Sequence, residues 1–242
     1  MRSFFLALAI VIGGVPVVSA QKYVGTLEFV PAGCEATRKC ELKNDFGFID
    51  NANYGWQAKA GDKTDGASIP DWAQPYVGKP FELAFIKAAV IHDHYCGRKV
   101  RTWLATHRVF YEGLLASGVE KAKALTMYYA VLIGGPKWIW LIPPKPCSLG
   151  GSCVFKIETA ILPPGGTIST LGNVRYYQRP ARFNDPKILT EIKEASLAIE
   201  AQKGAVTLDA LVERAKRFSP GDVFLTSGSE IRANDFKVGV FE

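Results

Sequence analysis

Carboxylates and imidazoles crowd into residues 64–107 of this chain. The stretch opens TDGASIPDW, with Asp65 in a loop bounded by Gly66 and Pro70. It continues through IHDHYCG and ends at His107, and all three histidines, His92, His94 and His107, lie in its second half. Such groups brought together can hold a metal ion and activate a water molecule, so hydrolytic chemistry is the reading to pursue. Which of them converge depends on the elements that carry them.

Residues 81–95 are apolar nearly all round, with Glu82 and Lys87 the charges before the first histidine. This predicts a buried helix, with Gly97 placed to end it. A second helix is expected over about 102–117, stopped by Gly118, and a third over about 119–133, stopped by Gly134-Gly135-Pro136. Short connections make consecutive helices antiparallel neighbours. The first turn centres near Lys99, and His92 lies about as far before it as His107 lies after it. At about 1.5 Å rise per residue the two stand at nearly one height and face each other if both point into the seam. Asp93 is rotated ~100° from His92 and points toward the adjacent face, where the TDGASIP loop is the expected cover; His94, ~200° away, is expected at the surface.

Gly66 permits positive φ and Pro70 holds Ile69 extended, so this loop turns sharply. Asp65, Asp93 and the carbonyls around Gly66 would supply oxygen ligands, which suit calcium first. Asp65 and Ser68 serve equally well as caps of their own turn, and Ser68 is also placed to meet a substrate. A second arrangement uses His92 and His107 with Asp93 or Asp65 as a two-histidine, one-carboxylate zinc site that keeps a position open for water. Oxygen-rich ligation selects calcium and imidazole selects zinc. Cys96, one turn after His92, is either a packing residue or a nucleophile paired with that imidazole.

The run TDGASIP, an apolar helix ending in HDHY, a helix with Phe110 near its centre and a further apolar helix together resemble the bacterial and phage family called domain of unknown function 1353. The match covers roughly residues 42–135, and the family name supplies no activity. A second likeness is of layout. An Asp-containing loop, His-Asp with a Tyr close behind, and an antiparallel helix with a polar partner for the His are similar to the secreted phospholipases A2. That resemblance implies His92 as general base, Asp93 as calcium ligand and Tyr95 in a supporting role, with calcium polarising an ester carbonyl. Two departures are plain: Tyr95 follows Asp93 by two positions instead of three, and His107 stands where an orienting Asp is expected. A neutral His107 still accepts a hydrogen bond from His92 but does not stabilise an imidazolium as a carboxylate does.

Residues 1–20 have the form of an export signal: Arg2, an apolar run over 4–12, and Val18-Ser19-Ala20 as a small-residue cleavage pattern. Secretion or transfer to the periplasm, with cleavage near Ala20, is therefore expected. The leader carries one basic residue and no acid, so the net charge of +6 falls to +5 on its removal. A mild basic excess suits phospholipid or an anionic cell-envelope polymer, with peripheral membrane contact. No dense Lys/Arg run argues for nucleic acid. Cys34 and Cys40 are spaced six apart, as are Cys147 and Cys153, while Cys96 stands alone. Two short disulfides are the natural expectation outside the cytoplasm, with cross-pairing open. The x5 spacing is too wide for a usual all-cysteine zinc site.

Residues 23–63 read as short strands cut by Asn-Asp, Asp-Asn and Tyr-Gly turns. The proline-rich residues 136–153 exclude regular helix, and their run Trp138-Ile139-Trp140-Leu141-Ile142 is either an exposed docking surface or core packing. Residues 154–242 form a mixed region of unassigned role. Helices are expected there over 185–202 and 207–218, and strands over 155–162, 174–177 and 223–225. The expected architecture is α+β: a leader (1–20), a β region plus helical domain (21–135) built as a small β region followed by an antiparallel three-helix unit, a Pro/Cys-rich connector (136–153) and a smaller mixed C-terminal region. The functions that fit are an exported metal-dependent hydrolase, a zinc-dependent cell-wall or peptide hydrolase, or a non-catalytic envelope-binding protein.

Overall fold

The computed structural model describes residues 22–67, 79–142, 165–228 and 230–232. The leader, Ser68, Cys147, Cys153 and the strand expected over 155–162 lie outside them. In chain order, β1 (Lys22–Val24), β2 (Phe29–Val30), β3 (Cys40–Leu42), β4 (Phe46–Ile49), β5 (Gly55–Ala58) and β6 (Lys63–Thr64) precede helices α1 (Ile86–Arg98), α2 (Trp103–Ala116) and α3 (Lys121–Gly134). Then come β7 (Lys137–Ile142), β8 (Thr167–Leu171), β9 (Val174–Arg179), α4 (Pro186–Ala201), α5 (Leu208–Phe218), the short α6 (Val223–Thr226) and β10 (Glu230–Arg232). The α+β class expected from the sequence, with a β region leading into three helices, is the class observed.

Two small antiparallel sheets, β1-β4-β5 and β2-β3-β6, make the N-terminal layer. Strand alternation explains which side faces inward: Phe46 and Phe48 of β4 and Trp56 and Ala58 of β5 are buried while their neighbours are less so. They pack on Ile86, Val90, Ile91 and Tyr95 of α1. The opposite side of α1 meets α2, so the helix is covered on both faces, as its uniformly apolar sequence requires. Cys34 and Cys40 are joined as a disulfide, with their Cα atoms 5.1 Å apart.

The β4–β5 turn is organised by one side chain. Asp50 accepts the backbone N–H groups of Ala52 (3.0 Å) and Tyr54 (2.8 Å) on Oδ1 and the indole N–H of Trp56 (2.7 Å) on Oδ2. Asp50→Ala leaves a buried indole donor without its partner. It is expected to cost about 2–3 kcal/mol, read as a lower urea midpoint at unchanged slope; an unchanged midpoint would show that water replaces the carboxylate freely.

The third sheet runs β10-β7-β9-β8, with β10 parallel to β7 and the other pairs antiparallel. Its β7 begins the segment whose prolines excluded helix, and the segment is regular strand over its first residues. Trp138 is 1% exposed, and the exposed docking surface considered for this run is not found at that residue. Its indole donates to Arg101 O (2.8 Å) and that of Trp140 to Lys99 O (3.1 Å), so both tryptophans lace β7 to the α1–α2 turn. The larger core joins α2 and α3 to Tyr176 and Tyr177 of β9, Ile188, Ile192 and Ile199 of α4, and Leu211 of α5. The C-terminal elements thus share a core with the helical unit.

Three local expectations need correction. Residues 79–85 make tight turns instead of opening α1, with Glu82 accepting the Lys79 N–H at 3.2 Å. Helix α1 then runs past Gly97 and ends at Lys99, which takes the left-handed conformation (φ 54°) while its N–H bonds Tyr95 O. Residues 223–225 are helical because Asp222 caps them, accepting the Phe224 N–H at 3.1 Å. Among the described residues, no helix is long and apolar enough to cross a membrane.

Candidate functional site

The α1–α2 hairpin brings His92 and His107 together. Lys99 closes α1, and the Thr102 hydroxyl opens α2 by accepting the Ala105 N–H at 3.1 Å. With the turn fixed at both ends, the two imidazoles meet at one height, His92 Nε2 to His107 Nδ1 at 2.8 Å. Phe110 and Trp103 pack on them, with ring centroids 5.0 Å from His92 and 5.5 Å from His107 respectively. A residue four positions on from His92 lies only ~40° round the helix. Cys96 accordingly joins the pair, its Sγ 3.5 Å from His92 Nε2. One nitrogen of each histidine and the Cys96 sulfur lie within 4.8 Å of one another. His107 is fully buried and His92 nearly so, while Cys96 keeps partial exposure.

Asp93 stands behind His92, Oδ1 to Nδ1 at 3.6 Å, an ion-pair distance longer than a hydrogen bond. Its other oxygen accepts the Thr64 hydroxyl at 3.3 Å, and that hydroxyl in turn accepts the Gly66 N–H at 3.1 Å. Gly66 has φ 89°, and a Cβ there would meet Phe81 at 2.8 Å and Pro80 at 2.9 Å. The loop can therefore close over Asp93 only with glycine at this position. Gly66 serves Asp93 through its N–H and Thr64, where its surroundings were expected to offer carbonyls.

The electrostatics separate the two histidines. Burial alone would pull His92 down, but the neighbouring Cys96 sulfur and the Asp93 carboxylate more than offset it, and its pKa is pushed up to about 10. His107 is held well below the usual range by burial, by His92 and by the Lys137 ammonium. It is the neutral member of the pair. The Pro136 carbonyl lies near His107, yet Nε2 makes no hydrogen bond of ordinary geometry and is buried. A proton on Nε2 leaves the Nδ1 lone pair directed at His92. Burial pushes the Asp93 carboxyl up, His92 pulls it down, and Asp65 raises it again.

The other expected site residues are placed differently. Asp65 is exposed, near enough to Asp93 to act on it electrostatically. Tyr95 is buried but turned toward the sheet, where its hydroxyl accepts the Gln57 N–H at 3.1 Å and its ring packs on Trp56 at 4.7 Å. Three positions on from His92, it fans ~60° to the side opposite Cys96. His94, expected at the surface, has a side chain only 8% exposed and pairs through Nδ1 with Asp62 at 2.5 Å. Sequence spacing placed Cys96 near His92, but as packing or nucleophile and not as a third donor. Nothing in the sequence marked Lys137, which is 1% exposed and donates to Ile133 O at 3.2 Å.

The family model described as "Protein of unknown function (DUF1353)" matches residues 40–131, which hold both histidines, Cys96 and Asp93. The protein y4iH of Sinorhizobium fredii (strain NBRC 101917 / NGR234), described as uncharacterized, is 40% identical over 201 residues, covering 82% of this chain and 78% of that protein. This chain belongs to the DUF1353 family. A second relative from the same strain, y4jT, is also described as uncharacterized. It is 41% identical over 138 residues, covering 55% of this chain and 41% of its own length, so the match spans less than half of it. No solved structure matches. Nothing in these comparisons supports the likeness to secreted phospholipases A2, and membership of DUF1353 carries no activity with it.

Proposed function

We propose that this DUF1353 protein is an exported, metal-dependent hydrolase whose reacting water is activated beside His92. The observation that carries the reading is the buried His92–His107 pair with Asp93 behind it and the partly exposed Cys96 beside it. A divalent ion held there by His92, Cys96 and His107 would lower the pKa of a water molecule and polarise a carbonyl. The chain's own groups do the rest. Asp93 holds His92 in one orientation, Thr64 and Gly66 hold Asp93, and the neutral His107 offers a lone pair, while a bound cation would displace the proton that His92 otherwise carries. Phe110 and Trp103 exclude water from the far side of the rings. The leader-like N-terminus and the basic balance support an ester or amide of the cell envelope as substrate.

The test is hydrolysis by the full chain of phospholipid vesicles, read as fatty-acid release, and of cell-wall peptides, read as new amino groups. Each is run before and after removal of metal by a chelator. Activity on one substrate that is lost on chelation and restored by a divalent ion is the expected result. Turnover indifferent to the chelator, or none on either substrate across divalent ions, would reject the reading. The calcium arrangement enters through Asp65 acting on Asp93, and restoration by calcium in preference to zinc would favour it.

A further inference from the structure

We propose that His92 Nε2, His107 Nδ1 and Cys96 Sγ together form a site for a single borderline-soft transition-metal ion of the zinc class, with a position left open on the Cys96 side. For its catalytic meaning this rests on the hydrolase reading, and it names the donor atoms and the class of ion that reading leaves open. Two nitrogens and a sulfur are a donor set for zinc or cobalt and a poor one for calcium or magnesium, which take oxygen.

The geometry is close to what such an ion needs. Tetrahedral zinc with ordinary bond lengths separates two nitrogens by about 3.3 Å and a nitrogen from a sulfur by about 3.6 Å. Here the nitrogens are 2.8 Å apart and Sγ is 3.5 Å from His92 Nε2. One nitrogen of each imidazole and the sulfur lie within 4.8 Å of one another, so shifts of about 1 Å bring them into register. The donors sit on rigid elements: His92 and Cys96 one turn apart on α1, His107 facing them from α2. The outer groups also match. A ligating imidazole commonly turns its second nitrogen toward a carboxylate or a carbonyl. His92 presents Nδ1 to Asp93 at 3.6 Å, while the buried Nε2 of His107, without a hydrogen bond, lies near the Pro136 carbonyl. Among the described residues the other cysteine pair near an acid, Cys34 and Cys40 with Glu35, is spent in a disulfide. The site keeps the two histidines of the zinc arrangement expected from the sequence and replaces its carboxylate by a thiolate, moving Asp93 outward to orient His92.

The experiment uses the metal alone. The reduced, metal-free full chain is titrated with cobalt(II) and followed by absorption, with zinc and calcium as competitors. Binding of a single cobalt with a thiolate-to-cobalt charge-transfer band in the near ultraviolet, displaced by zinc and not by calcium, is expected. Cys96→Ser should abolish that band and weaken binding by about 100-fold or more, while Asp93→Asn should keep the band and weaken binding by about 10-fold. Cys96 is partly exposed, so the serine variant tests the ligand with little risk to the core, and its circular dichroism confirms folding. A folded chain that binds no cobalt, a band that survives Cys96→Ser, or displacement by calcium would each overturn the site. No substrate is involved, so metal binding without hydrolysis sinks the hydrolase reading alone. Hydrolysis restored by calcium in a chain that binds no cobalt sinks this site alone.

Discussion

His92→Ala is expected to lower hydrolysis by roughly a thousandfold while leaving the fold in place. Loss of a group that positions the attacking water, or helps hold the ion that activates it, costs typically about 10²–10⁴-fold, and His92 is the one residue that touches every other member of the cluster. It bonds His107, lies 3.5 Å from Cys96 and faces Asp93. The structural cost should be modest. The alanine leaves a small gap against Phe110, but the α1–α2 seam keeps Ala88, Ala89, Phe110 and Leu114 in the core, and both ends of the turn are capped independently of His92. Asp93→Asn is the graded companion. It keeps the shape and the Thr64 contact but weakens the hold on His92, so a loss of about 10–100-fold is expected. Initial rates on whichever substrate the wild type hydrolyses, with circular dichroism and melting of each variant, make the measurement. A His92→Ala protein that melts normally and hydrolyses at the wild-type rate would place the chemistry elsewhere.

How far the sequence could lead to this site differs from group to group. The meeting of His92 and His107 was legible because it follows from helical rise and a turn position, two quantities that local sequence controls. The contact of Asp93 with the start of the TDGASIP loop, through Thr64, was legible in the same way, since Gly66 announces a sharp turn. The role of Tyr95 was not: a three-residue step puts its side chain over the sheet, and only the position of β5 decides which side of α1 is free. Cys96 stayed open between packing and nucleophile because a cysteine one turn from a histidine is ambiguous until the partner helix shows what faces it. Trp138 and Trp140 read as an aromatic run of either kind, and the burial of Trp138 and partial burial of Trp140 depend on β9 and the α1–α2 turn, both distant in sequence. Short helical stretches such as residues 223–225 are set by a cap, Asp222, more than by their own apolar pattern.

Lys137→Met is expected to stabilise the protein by about 3 kcal/mol at pH 6, and to do so progressively less as pH rises toward 9. Lys137 is 1% exposed; among the described residues its ammonium donates to Ile133 O and lies over the face of Trp103 at 5.3 Å. The helix α3 C-terminus favours a cation there, but Arg179 stands directly across the strand pair and Arg182 adds to the repulsion, with Asp222 the compensating carboxylate. Burial first, and then Arg179, lower its pKa from 10.5 to about 7. Because the folded value is the lower one, the unfolded chain binds the extra proton between about 7 and 10.5. Wild-type stability therefore rises with pH through that window, and below 7 the folded state carries the full penalty of a buried charge. A shift of this size corresponds to roughly 4–5 kcal/mol, from which the lost hydrogen bond to Ile133 O subtracts about 1 kcal/mol. Urea midpoints of wild type and variant at pH 6 and pH 9 make the comparison, and a variant less stable than wild type at pH 6 would show that the ammonium is better compensated than its neighbours suggest.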